Sequence, residues 1–421
     1  MVLTFERGPR VRSAAITAMI ALATGAWGTL VAQRMDAFVE SRHHPAIAYG
    51  RGALDTPITS LNERLATAQA GLPFDRETGY LRATLAALDI SPESQVLVYS
   101  PTSFQASRIT QQNPRAIYFN DTVAIGWIRG ADLLEVTAQD PRHGTIFYTI
   151  GQTPAEFPRF NRQEQCVSCH LTWDTLGVPG LTVRTTFPRK APGEFLNGGP
   201  VDHRRTMGER WSGWFVTGET VPALHMGNRP LIQPLPLDGP APRLKTVEGQ
   251  FDTTGYLRTT SDIVALLLLE HQTQAANLLT WAGWEARLGD PARTKAAAEA
   301  LADYLLFVGE ASLAGPVKGQ PAFAAAFTTR GPRDTKGRSL RDLQLDGRMM
   351  RYPLSYMVYT PMFDALPDAA AGIVRTRLRE VLTGQDVSPR YGHLSEFDRQ
   401  AILDILRDTK PGLLAAGDSP L

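Results

Sequence analysis

Cys166-Val167-Ser168-Cys169-His170 is the part of this chain whose residue types and spacing carry chemistry most directly. Two thiols three positions apart with an imidazole directly after them match the covalent attachment site of a c-type haem. Each S–H adds across a vinyl group of the porphyrin, and the adjacent histidine is then placed to bind the iron from the proximal side. Cys166 and Cys169 are the only cysteines in 421 residues, so the whole thiol supply sits in one motif. A thioredoxin-like redox pair does not need the histidine, and a zinc site needs a second Cys or His pair that the sequence lacks. The reading is one covalent haem c, held by Cys166, Cys169 and His170.

The sixth iron position then decides between a carrier and a site for substrate chemistry. Among the donors of the chain, the segment 202–228 gathers the most signals. It holds His203, Glu209, Arg210, Trp211, Trp214 and the adjacent pair His225-Met226. His225 is the first candidate for the distal metal ligand and Met226 the next, with His203 behind them. Arg210 and Trp211 are expected in the haem pocket, because guanidinium groups bind propionates bidentately and indole faces line the macrocycle. The alternative for this segment is a Trp-rich hairpin that packs the core. His143, in an Arg-His-Gly turn, is expected at the surface. His271 is expected as a hydrogen-bonded core residue, and His43 and His44 as solvated.

Haem is attached to such motifs outside the cytoplasm, and the N-terminus agrees. Arg7, Arg10 and Arg12 precede an uncharged run from Ser13 to Ala32. Residues 1–34 therefore read as a signal peptide or an N-terminal membrane anchor. The basic flank keeps the start cytoplasmic and places the rest on the periplasmic side of the cytoplasmic membrane, soluble there if the leader is cleaved. Hydrophobic residues make up 43% and charged ones 20%, with a net charge of +1. That balance is globular and leaves no basic footprint for nucleic acid.

The elements that must position the motif follow from periodicity. Residues 56–88 read as helical. Short β-branched and aromatic runs at 95–99, 116–119, 123–127, 133–136 and 145–149, separated by turn signals, suggest an antiparallel meander. Further strands are expected at 180–187 and 211–217. Helices follow at 261–288, 292–308, 356–363, 369–382 and 395–407, with Ser261-Asp262 as a cap. The fold class is α+β: a strand-rich haem-binding domain over 35–260, then a helical domain over 261–421.

With these pieces in place, the chain resembles a family of exported single-haem c-type cytochromes, the cytochrome c domain-containing proteins. The matching stretches are 94–105, 113–130, the Cys166–His170 motif, 209–218, 225–228, 261–272 and 352–367. The resemblance implies haem binding and export but supplies no reaction. The meander before the motif is also similar to the cytochrome P460 type. That type cross-links its haem to a lysine placed before the motif, whereas the first lysine here is Lys190, after it.

The leading functional expectation is electron transfer on the outer face of the cytoplasmic membrane. It calls for a redox partner in or near the membrane, or a place as a subunit of a larger respiratory complex. The alternative is a haem enzyme acting on a peroxide or nitrogen oxide at an open iron, served by Glu209, Arg210 or His203.

Overall fold

The computed structural model describes residues 41–188, 195–233, 235 and 239–414; the expected leader at 1–34 lies outside them. Two short helices come first, α1 (Pro57–Ala66) and α2 (Leu81–Ala87). Thr56 caps α1 by accepting a hydrogen bond from the Thr59 amide at 3.1 Å, and Pro57 supplies the fixed φ of a first turn.

A six-stranded antiparallel sheet follows, its strands side by side in chain order. They are β1 (Val96–Val98), β2 (Arg115–Phe119), β3 (Val123–Trp127), β4 (Leu133–Asp140), β5 (Gly144–Gly151) and β6 (Asn161–Arg162). This is the expected meander. Alternation sets its two faces. Tyr118, Ile125, Trp127, Leu134 and Val136 are buried in one core with Ile58 and Leu61 of α1 and Leu81 and Leu85 of α2. Each such aliphatic side chain contributes about 1.5–3 kcal/mol by leaving water. The opposite positions, Arg115, Ile117, Ala124, Gly126, Glu135 and Thr137, are only half-buried.

The β4–β5 turn corrects one expectation. His143 is buried, not at the surface. Asp140 Oδ1 accepts from the amides of Arg142 and His143 at 2.9 and 2.7 Å, and from His143 Nδ1 at 2.8 Å, which folds the ring inward. The ring lies against Gly52, where a Cβ would stand 2.5 Å from His143 Nε2.

After β6 the motif forms a tight turn and a one-turn helix, α3 (Val167–His170). A hairpin of β7 (Arg184–Pro188) and β8 (Phe195–Pro200) comes next. The stretch expected as a strand at 211–217 is a set of turns instead. Trp211 and Gly213 both have positive φ, 76° and 89°, which a strand cannot accommodate.

The C-terminal half is helical, as expected: α4 (Ile263–Leu288), α5 (Pro291–Leu305), α6 (Pro321–Thr329), α7 (Pro361–Asp364), α8 (Asp368–Leu382) and α9 (Glu396–Thr409). A small hairpin, β9 (Leu343–Asp346) and β10 (Arg348–Met350), interrupts it. α4 is central: it contacts β1 and β5 on one side and α5 to α8 on the others. The seam at 260/261 is closely bonded. Ser261 Oγ accepts from the Leu97 amide at 2.8 Å and donates to the Phe215 carbonyl at 2.6 Å.

Asp262 caps α4 by accepting from the amides of Val264 and Ala265 at 2.9 and 3.0 Å, and it also accepts from the Gln320 amide. Asp262→Ala is expected to cost about 1–2 kcal/mol, because it orphans buried donors at the start of the central helix. Urea titration should show a lower midpoint with an unchanged slope; an unchanged midpoint would refute the role.

Candidate functional site

Cys166 and Cys169 are separated by three positions along continuous helical turns, which puts both on one side of the turn. That side opens on a cavity of about 770 Å³. Cys166, Cys169 and His170 all line it. The two thiols are free, Cys166 half-buried and Cys169 exposed. Burial first, and then the Glu135 carboxylate, push the Cys166 thiol above its usual range. It is thereby kept protonated, the opposite of the lowered pKa that a thiol–disulfide redox pair requires.

His170 is held by the loop that follows it. Its Nδ1 lies 3.0 Å from the Gly180 carbonyl oxygen. A carbonyl only accepts, so Nδ1 carries the hydrogen and Nε2 keeps a lone pair. The ring packs against Phe147 of β5 with centroids 4.9 Å apart. Burial, with the Arg115 guanidinium nearby, holds its pKa below the usual imidazole range, so the ring is neutral at pH 7. A neutral imidazole with one nitrogen tied to a carbonyl is the form that binds metal.

The wall of the cavity is the half-buried face of the sheet. Arg115 Nη1 stands 3.2 Å from Glu135 Oε2, and Ser103 Oγ donates to Glu135 Oε1 at 2.7 Å. Gly126, in register with Glu135 on the neighbouring strand, lies beneath this pair. A Cβ there would meet Arg115 Cδ at 3.3 Å and Glu135 Oε2 at 3.6 Å, so glycine lets the ion pair lie flat across β3. Apolar walls come from Ile117, Phe147 and Trp214, and from Leu269 of α4.

The donor set fits a covalent haem. The porphyrin brings four nitrogens, so the protein needs to offer one imidazole and two thiols, and these face one cavity. Among the described residues no three His, Cys, Asp or Glu side chains are grouped to hold a bare metal ion.

The other expected site residues lie elsewhere. Arg210 and Trp211 are fully buried and both bond Glu270 of α4: Arg210 Nη1 at 3.0 Å, and Trp211 through its indole N–H. Neither lines the cavity. His225 packs edge-on to Trp211, its Nδ1 accepting from the Gly227 amide at 3.0 Å. Met226 Sδ lies 3.9 Å from Thr185 Oγ1. Both stand outside the cavity lining. His203 stacks on Tyr304 and meets His271 Nδ1 to Nδ1 at 2.8 Å, inside the helical core. Glu209 is exposed.

Sequence reasoning missed Arg115 and Glu135. The available signal was phase: both fall on the strand positions opposite to Tyr118, Leu134 and Val136, so the face they share had to meet something other than the core.

No family model, curated protein or solved structure matches this chain.

Proposed function

We propose that the chain is a single-haem c-type protein with its haem in this cavity. Cys166 and Cys169 form the thioethers, His170 is the proximal ligand, and the sixth iron position is left to a small molecule. One observation carries this reading: of the described residues lining the cavity, His170 is the only imidazole, and none is a methionine or lysine. A cavity of this volume is also in the range of small-ligand and cofactor sites, about 300–1,000 Å³. The bound haem would supply one-electron chemistry and an open coordination position.

The residues of the chain would do the rest. Ile117, Phe147, Trp214 and Leu269 would wall the macrocycle and exclude water from it. Arg115 and Glu135 present a charge pair, with Ser103 donating to the Glu135 carboxylate, a polar patch beside the apolar wall that is suited to orienting a small polar ligand. This is the reading of a haem enzyme or ligand-responsive protein acting on a peroxide or nitrogen oxide.

A carrier function is the second reading, favoured by the mouth of the cavity. Cys169 is exposed there, Phe104 is an exposed large apolar side chain on the rim, and Trp173 is exposed between Thr172 and Asp174 of the lining. A partner docking there would reach the thioether edge. For either reading we place the protein on the periplasmic side of the cytoplasmic membrane, from the leader sequence.

Carbon monoxide separates the two. The reduced protein is expected to bind it within seconds, with a shifted Soret band, and His225→Ala and Met226→Ala should leave that binding unchanged. A reduced protein inert to carbon monoxide and nitric oxide would establish six-coordination and favour the carrier.

A further inference from the structure

Gly180 is tied to His170 twice. Its amide donates to the His170 carbonyl at 2.9 Å, and its own carbonyl accepts the His170 Nδ1 hydrogen at 3.0 Å. The position of that one carbonyl therefore sets the orientation of the imidazole. The flanking residues fix it from two sides. The Pro179 carbonyl accepts from the Thr145 amide of β5 at 3.4 Å. The Leu181 carbonyl accepts from Asn277 Nδ2, on α4, at 2.8 Å.

Asn277 does more than anchor. It is 1% exposed, and its Oδ1 is buried with no hydrogen-bond partner. That oxygen lies against Gly180: a Cβ there would stand 2.2 Å from Oδ1 and 3.2 Å from Thr175 Cβ. An unpaired buried carbonyl costs about 1–3 kcal/mol, so the amide is held there at the expense of stability. Its two ends act on the same loop, one pulling on Leu181 and the other closing the space at Gly180.

We infer that Asn277, acting through the Gly180–Leu181 segment, is the positioning residue that sets how strongly His170 binds iron. The inference rests on the haem reading above. A hydrogen bond from Nδ1 to a carbonyl raises the basicity of the ligating nitrogen and favours ferric over ferrous iron. Loosening the Gly180 carbonyl weakens that bond and raises the reduction potential. The long helix of the C-terminal half thus reaches the iron ligand through Asn277, besides walling the cavity with Leu269.

The test uses the full-length protein with Asn277→Ala, Gly180→Ala and the double variant, each first assayed for covalent haem as the pyridine haemochrome. The readouts are the midpoint potential and the iron–histidine stretching frequency of the reduced protein. Asn277→Ala is expected to raise the potential by a roughly tenfold change in the ferric/ferrous preference, about 59 mV for one electron, and to lower the stretching frequency. Gly180→Ala should act in the same direction and more strongly. The double variant should fall back from Gly180→Ala toward Asn277→Ala, because the oxygen that the new methyl would strike is gone and only the 3.2 Å approach to Thr175 Cβ remains. An unchanged potential and frequency in Asn277→Ala at full haem content overturns the inference, even where Gly180→Ala does not fold. Absence of covalent haem from the unmodified protein would instead bring down the haem reading, and this inference with it.

Discussion

Cys166→Ala combined with Cys169→Ala abolishes all haem that survives a denaturing gel: this is the largest effect expected of any substitution in the chain. On the haem reading, Cys166 and Cys169 are the only residues that could form thioethers, because no other cysteine exists. Each single variant should keep one thioether and a red-shifted pyridine haemochrome. Exposed Cys169 should tolerate loss better than half-buried Cys166, whose neighbours are fixed. The polypeptide itself should survive, since Val167 packs in the core while the thiols face the cavity. Peroxidase-stained gels and mass spectra of the purified protein decide the matter. Haem retained covalently by the double variant, or absent from the unmodified protein exported through a haem-attaching host, would end the assignment.

The second large effect concerns stability and its dependence on pH. Glu270 is fully buried between Arg210 Nη1 and the Trp211 indole N–H. Burial pushes its carboxyl up to about 7, although the Arg210 charge pulls the other way. Glu310, also near Arg210, is pushed by burial to about 7 as well. A folded pKa above the unfolded value means that the native state holds the proton more tightly. Their stabilising contribution is therefore complete below about pH 4.5 and is lost as pH rises through 7. Arg210→Leu removes the charge that makes the ionised forms tolerable and strands the His203 carbonyl that Arg210 Nη2 bonds at 3.1 Å. The expected loss at pH 8 is about 3–5 kcal/mol, the cost of breaking a buried pair. At pH 5 the loss should be clearly smaller, because the carboxyl of Glu270 takes up a proton instead of standing as an unpaired charge. Urea titrations of both proteins at the two pH values measure this. An equal loss at both would mean that Glu270 stays ionised throughout and that its surroundings solvate it better than its burial implies.

What was legible in the sequence is what is local. That Cys166, Cys169 and His170 share one cavity follows from their spacing, which is confined to five residues on one turn. The meander reads because each strand carries its own period-two pattern, and α4 reads because Ser261-Asp262 caps an uninterrupted apolar run. The β9–β10 hairpin and α6 were not anticipated. The hairpin strands are four and three residues long, and the Ala-rich α6 offers no pronounced polar face from which to read a period. The segment around Trp211 misled for a different reason. Its Arg and Trp side chains are the types that would serve a haem, but their partner is Glu270, some 60 positions away. Only tertiary structure reveals that pairing. Glu135 was overlooked because a single carboxylate in a strand normally faces water.

The burial of α4 bears on how such a chain could be made. At 26 residues it is about 39 Å long, enough to cross a lipid bilayer, and 22 of its residues are buried in the protein. A helix apolar on every side is what a translocation channel releases sideways into lipid. Yet no helix among the described residues is long and apolar enough to qualify as a span. Glu270, His271, Gln272, Gln274, Asn277 and Glu285 lie along α4, and a single charge at mid-membrane costs about 2.5–3.5 kcal/mol. If the chain is exported as proposed, the residues that look most out of place in the folded core are thus the ones that would keep the segment moving through a secretion pore instead of lodging in its wall.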